Sequence, residues 1–179
     1  MRELLLFVII LLLVCGVMAL GQPQLYKIGE VVDFTLPSLR GNSVHSADFK
    51  GKIVFIDFFF PEEVPCPNAQ RAFEKEKGLI ATFKDKNVVF ISIGLSKDVA
   101  QTGGYVSQKN KDTLVLVDAD QKVYQKFYRK GVIFSTYTFP CYVIIDANSK
   151  LVWVSNRTKE NDSGDSFYQD KISALLKTL

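Results

Sequence analysis

The chain is poor in the residues that build metal and disulfide scaffolds: it has one histidine, one tryptophan, two methionines and three cysteines among 179 residues. Three cysteines exclude a disulfide-dense fold, and a single histidine, His45, leaves little from which to assemble a metal centre. No metal and no cofactor is expected. Charge of one sign is lacking too. The 22 Lys and Arg are scattered among 19 Asp and Glu for a net charge of +3, without the basic stripe that phosphate binding needs, so nucleic acid is not an expected partner. There is no low-complexity tract, and 47% hydrophobic content at this length suits one well-cored domain.

One long apolar run is present, at the N-terminus. Residues 4–20 carry no charge and follow Arg2, and Ala19-Leu20-Gly21 offers small residues at a cleavage point before Gln22. The pattern predicts a signal peptide over 1–21 and a mature domain over 22–179. A retained anchor and lipidation of Cys15 are the alternatives, since the run approaches spanning length. Each reading places the domain outside the cytoplasm, periplasmic, secreted or membrane-anchored, where thiols can oxidise. Membrane contact is expected only through this segment, if it is not cleaved. Cleavage would leave two cysteines, Cys66 and Cys141.

The chain is organised around residues 51–67, where the apolar run Ile53 to Phe60 ends in prolines, two carboxylates and one thiol. The run is short and rich in β-branched and aromatic residues, which predicts a central strand buried on both faces. Asp57 interrupts it, and a carboxylate there is costly unless hydrogen-bonded or protonated. Cys66 falls at the predicted start of a helix over 67–83, whose inward positions are Ala69, Ala72, Phe73, Leu79, Ile80 and Phe83. Gly78 within it suggests a kink or a close contact. Further strands are predicted over 87–94, 114–118, 137–146 and 151–154. Helices are predicted over 97–110, 121–130 and 167–176, and a hairpin around Arg40-Gly41-Asn42 joins 31–36 to 43–49.

Gly51 to Cys66 resembles the active-site segment of the thioredoxin superfamily, in its exported TlpA-like and AhpC/TSA-related branch, of pattern G-K-x-x-x-x-[DN]-F-W-A-x-W-C-x-x-C. Asp33-Phe34 and Asp48-Phe49-Lys50-Gly51-Lys52 are similar to that branch's N-terminal hairpin, and the resemblance runs from about residue 28 to the C-terminus. It implies an α/β thioredoxin-like fold, a central mixed sheet with helices on both faces and an N-terminal β-hairpin. Laid without a gap, it puts Asp57 on the family's buried acid, a general base for the resolving cysteine, and Cys66 on that cysteine. Glu63 falls where the attacking cysteine belongs, so the motif reads Glu63-Val64-Pro65-Cys66. Phe139-Pro140 matches the family's cis-proline, which sits against the motif and lines the groove for an extended substrate. Cys141 follows it.

The resemblance implies a thiol-disulfide redox protein with an atypical single-cysteine motif, Cys66 acting with Cys141 or with a thiol of an exported partner. Its alternative is a redox-silent module binding a peptide beside Pro140. A third reading, a single-cysteine peroxidase, is suggested by Cys66-Pro67, but Pro61 stands too close to Cys66 and Pro65 replaces the hydroxyl residue that would orient peroxide. Copper carriers of this fold use two motif cysteines and a histidine near the cis-proline, and His45 fits neither condition. Trp153, late in the sheet, reads as packing. Sequons at Asn156 and Asn161 matter only in a eukaryotic source.

Overall fold

Ile53–Phe59 forms the middle strand because every one of its seven residues is buried, which only a position with neighbours on both edges and cover on both faces allows. A computed structural model describes residues 24–61, 67–107, 113–128, 141–155 and 166–179. In chain order the elements are β1 (Thr35–Pro37), β2 (Ser43–His45), a 3₁₀ turn (Ser46–Phe49), β3 (Ile53–Phe59), α1 (Pro67–Phe83), β4 (Val88–Gly94) and α2 (Val99–Ser107). They continue with β5 (Leu114–Val117), a 3₁₀ turn (Tyr124–Lys126), β6 (Cys141–Ile145), β7 (Leu151–Val154) and α3 (Phe167–Leu176).

The main sheet has the order β5-β4-β3-β6-β7, and β1 with β2 forms a separate antiparallel pair. β3, β4 and β5 run parallel, while β6 and β7 are antiparallel additions, so the sheet is mixed. Side chains alternate across it, and two cores result. On one face Phe55, Phe90, Tyr142, Ile144 and Trp153 pack with Leu79, Ile80 and Phe83 of α1 and with Tyr168 and Ile172 of α3. On the other, Ile56, Phe58, Ile91, Ile93 and Val143 pack under the N-terminal segment and under Val123, Tyr124, Phe127 and Tyr128. The thioredoxin-like architecture is as expected, with its helical cover unequal between the faces among the described residues.

Several local expectations change. The predicted helix over 121–130 is a 3₁₀ turn in its described part, because Gln121 takes a left-handed φ of 58° and Asp118 captures the amide of Tyr124 at 2.8 Å. Its inward residues Val123, Tyr124 and Phe127 are nonetheless buried. The second hairpin arm is three residues long, since Asp48 accepts the His45 amide at 2.9 Å and turns the chain into 3₁₀. Gly78 lies in α1 with open space where a Cβ would stand, so it marks no close contact. The close contact is at Gly94, where a Cβ would come within 2.6 Å of Thr102 Cγ2 on α2. Trp153 packs as expected, its ring 5.3 Å from Phe167 and 5.4 Å from Tyr168.

Candidate functional site

Asp57 is held at the centre of the molecule by register. It stands opposite Ser92 on β4 and Tyr142 on β6, so the three share one face of the sheet, the face that α1 covers. Asp57 is 6% exposed and Ser92 fully buried. The helix closes this row from above. Tyr142 Oη donates to the Ala72 carbonyl at 3.4 Å, and Ser92 Oγ donates to Oε1 of Glu76 at 3.4 Å. Glu76, at 3% exposure, is a second carboxyl in the same layer. Sequence reading missed it, although the signal was there: Glu76 lies three or four residues from Ala72, Phe73 and Ile80, on the apolar stripe of the helix. α1 begins at Pro67, immediately after Cys66 in the chain. A cysteine preceding a helix gains from the amide groups and dipole of that terminus.

Cys141 occupies the other face. It pairs with Phe58, and both belong to the core opposite α1. An arrangement in which Asp57 lies beside the Cys141 thiol is therefore not formed, since one residue of register sends the two side chains to opposite sides. The thiol is 1% exposed and lies 3.8 Å from Tyr124 Oη. Tyr124 stacks on Tyr128 at 5.0 Å. Tyr128 Oη contacts Ser155 Oγ at 2.8 Å and donates to the Tyr142 carbonyl at 3.1 Å. Burial, with the neighbouring Cys141 as a second cause, pushes the Tyr128 phenol well above its ordinary range, so the ring stays neutral. Cys66, Glu63, Phe139 and Pro140 lie outside the described residues, as do 1–23 and both sequons.

His45 is a surface residue whose Nδ1 meets Thr35 Oγ1 at 2.9 Å. Among the described residues no three His, Cys, Asp or Glu side chains come together as a metal site would require, and no helix is long and apolar enough to cross a membrane.

Asp118 ends β5 and fixes the segment that carries Tyr124. Burial raises its carboxyl above the ordinary aspartate value, although backbone amides of residues 122–124 pull the other way. A carboxyl raised on folding favours the folded state most below its unfolded pKa of about 3.9, and that contribution is lost as pH rises through the folded value. The stability of the wild type relative to Asp118→Asn should therefore fall from about pH 3.9 upward and then level off. Urea midpoints of both proteins across the acid range check this; a difference that grows with pH would contradict it.

A model of the family described as Redoxin matches residues 28–170. The chain is 27% identical over 159 residues to the thiol-disulfide oxidoreductase ResA of Bacillus thuringiensis subsp. konkukian, covering 84% of this chain and 86% of the relative. Among solved structures it is similar to the thioredoxin domain of a thiol-disulfide oxidoreductase from Bacteroides vulgatus, with a TM-score of 0.62 at 22% identity, covering 83% and 98% of the two chains. It is also similar to a secreted Mycobacterium tuberculosis disulfide oxidoreductase, with a TM-score of 0.56 at 23% identity, covering 82% and 96%. These two likenesses concern the fold. The family match spans the chain from before β1 into α3, takes in the strand of Asp57 and the position of Cys66, and places this protein in the Redoxin family.

Proposed function

We propose that the chain is an exported thiol-disulfide redox protein whose chemistry rests on one motif cysteine, Cys66, with Asp57 taking its proton and a partner protein supplying the second sulfur. The observation that carries this reading is the burial of Asp57 on the face covered by α1, the helix that follows Cys66 directly. In the reaction the Cys66 S–H proton passes to Asp57 and the thiolate attacks a disulfide of the partner. The partner's S–S bond breaks, a Cys66–partner disulfide forms, and the other partner sulfur leaves as a thiolate. A second thiol of the partner then releases Cys66. Of the two arrangements left open by the sequence, this one is favoured over a Cys66–Cys141 pair, because the Cys141 thiol faces away from Asp57 into Tyr124 and Tyr128. Phe139 and Pro140 are assigned to the groove for the partner's extended segment. Export rests on the uncharged run before Gln22.

One experiment on protein from its native host tests the whole reading. Mass spectrometry should find a mature N-terminus near Gln22, and iodoacetamide in native buffer should label Cys66 while Cys141 reacts only after unfolding. Cys66→Ser should abolish mixed disulfides with exported proteins. Capture that survives Cys66→Ser would favour a redox-silent peptide-binding module, and capture lost in Cys141→Ser would restore the Cys66–Cys141 pair.

A further inference from the structure

The entry of β6 is held by side chains where its ladder to β7 runs out. Val143 and Ile144 pair with Val154 and Trp153, and the next rung joins Tyr142 to Ser155, one residue past β7. That rung is only half made of backbone. The Ser155 amide donates to the Tyr142 carbonyl at 2.9 Å. The Tyr142 amide, which a regular antiparallel pair would give to a carbonyl, donates instead to Ser155 Oγ at 2.9 Å. Tyr128 completes the arrangement. Its Oη donates to the same Tyr142 carbonyl at 3.1 Å and meets Ser155 Oγ at 2.8 Å, so the carbonyl takes two donors, one for each lone pair. Burial keeps the phenol neutral, with its proton available to give. Its ring is fixed in turn by Tyr124, stacked at 5.0 Å, and by Phe58, edge-on at 6.3 Å.

We propose that Tyr128 is a positioning residue for substrate binding: by clamping the Tyr142 peptide it fixes where the chain enters β6, and through that the segment Phe139-Pro140, which precedes β6 directly in the sequence. The inference rests on the reading of Phe139 and Pro140 as the groove for a partner's extended segment. Such a segment is bound through main-chain hydrogen bonds, whose strength falls steeply with misalignment. Anchoring the entry of β6 in the folded protein spares the binding step the loss of freedom that ordering it would cost. Tyr142 carries the clamp across to the helix that follows Cys66. Its ring lies 5.1 Å from Phe55 and 5.1 Å from Tyr168, and its Oη donates to the Ala72 carbonyl of α1 at 3.4 Å. One residue thus ties the entry of β6 to β7, to the turn segment of Tyr128 and to α1.

Phenylalanine at 128 keeps the ring and removes only the donor. The probe is a short extended peptide whose single cysteine carries thionitrobenzoate in disulfide linkage, given to the full chain in mild detergent. The Cys66 thiolate attacks the peptide sulfur, that S–S bond breaks, a Cys66–peptide disulfide forms, and thionitrobenzoate leaves as a coloured thiolate. Tyr128→Phe should raise the half-saturating peptide concentration about fivefold, with the limiting rate unchanged. Reaction with the small disulfide 2,2′-dithiodipyridine, which needs no groove, should keep its wild-type rate. Ser155→Ala should show the same split, and it carries the expectation should Tyr128→Phe fail to fold. An unchanged half-saturation, or equal slowing with both disulfides, would overturn the role of Tyr128. A wild type whose Cys66 attacks neither disulfide would sink the proposed function instead. The clamp is then judged by fluorescence anisotropy of the same peptide, labelled and carrying serine for cysteine: binding weakened about fivefold in Tyr128→Phe upholds it, and equal binding, or none by the wild type, overturns it.

Discussion

Replacing Glu63 by cysteine is expected to raise the rate of insulin disulfide reduction about tenfold or more over the wild type. The sequence pattern sets Glu63 three residues before Cys66, the spacing of an attacking and a resolving thiol. With Glu63 in place, a mixed disulfide on Cys66 waits for a second thiol from solution. With cysteine there, resolution becomes intramolecular, and a thiol held in position acts at an effective concentration far above any free reductant. The substitution also removes a carboxylate three residues before Cys66 in the sequence, a negative charge of the sign that disfavours a thiolate. Turbidity of reduced insulin, with thioredoxin as reference, measures the gain. A wild type already as fast as that reference, or a variant no faster than the wild type, would show that position 63 is not the nucleophile's place.

The elements whose boundaries were read most closely are those whose burial is uniform or strictly periodic. β3, α1, β7 and α3 begin and end within a residue of their expected limits, because apolar runs and helical stripes are written locally. The 3₁₀ turn at Tyr124–Lys126 was not legible, since its course depends on Asp118, six residues away, and on a left-handed Gln121 that no pattern announces. At the site, the burial of Asp57 could be read from the strand alone. The facing of Cys141 could not, for it depends on β6 pairing Cys141 with Phe58 and not with Asp57, a register set by tertiary packing. Glu76 falls on the apolar stripe by spacing, but beside Glu74, Lys75 and Lys77 it has the composition of a wet face, and only packing tells the two apart.

Truncating Phe55 to alanine should cost about 3–5 kcal/mol, the largest effect on stability expected of any single substitution considered. The ring is 1% exposed and sits where the strand of Asp57 meets both long helices. Its centroid lies 5.7 Å from Phe90, 5.1 Å from Tyr142 and 5.8 Å from Tyr168, so α3 and both neighbouring strands lose a partner together. Such an interior is packed too closely to collapse around the gap, and the cavity adds to the lost transfer energy. Against a total of about 5–15 kcal/mol the loss is a large fraction, and at this size it corresponds to a fall in Tm of roughly 10–15 °C. Phe55→Leu keeps most of the volume and should cost less than about 1.5 kcal/mol if the neighbours repack. Calorimetry of the two variants separates the contributions: near-equal costs would mean that the aromatic contacts themselves, and not the filled volume, hold α3 to the sheet.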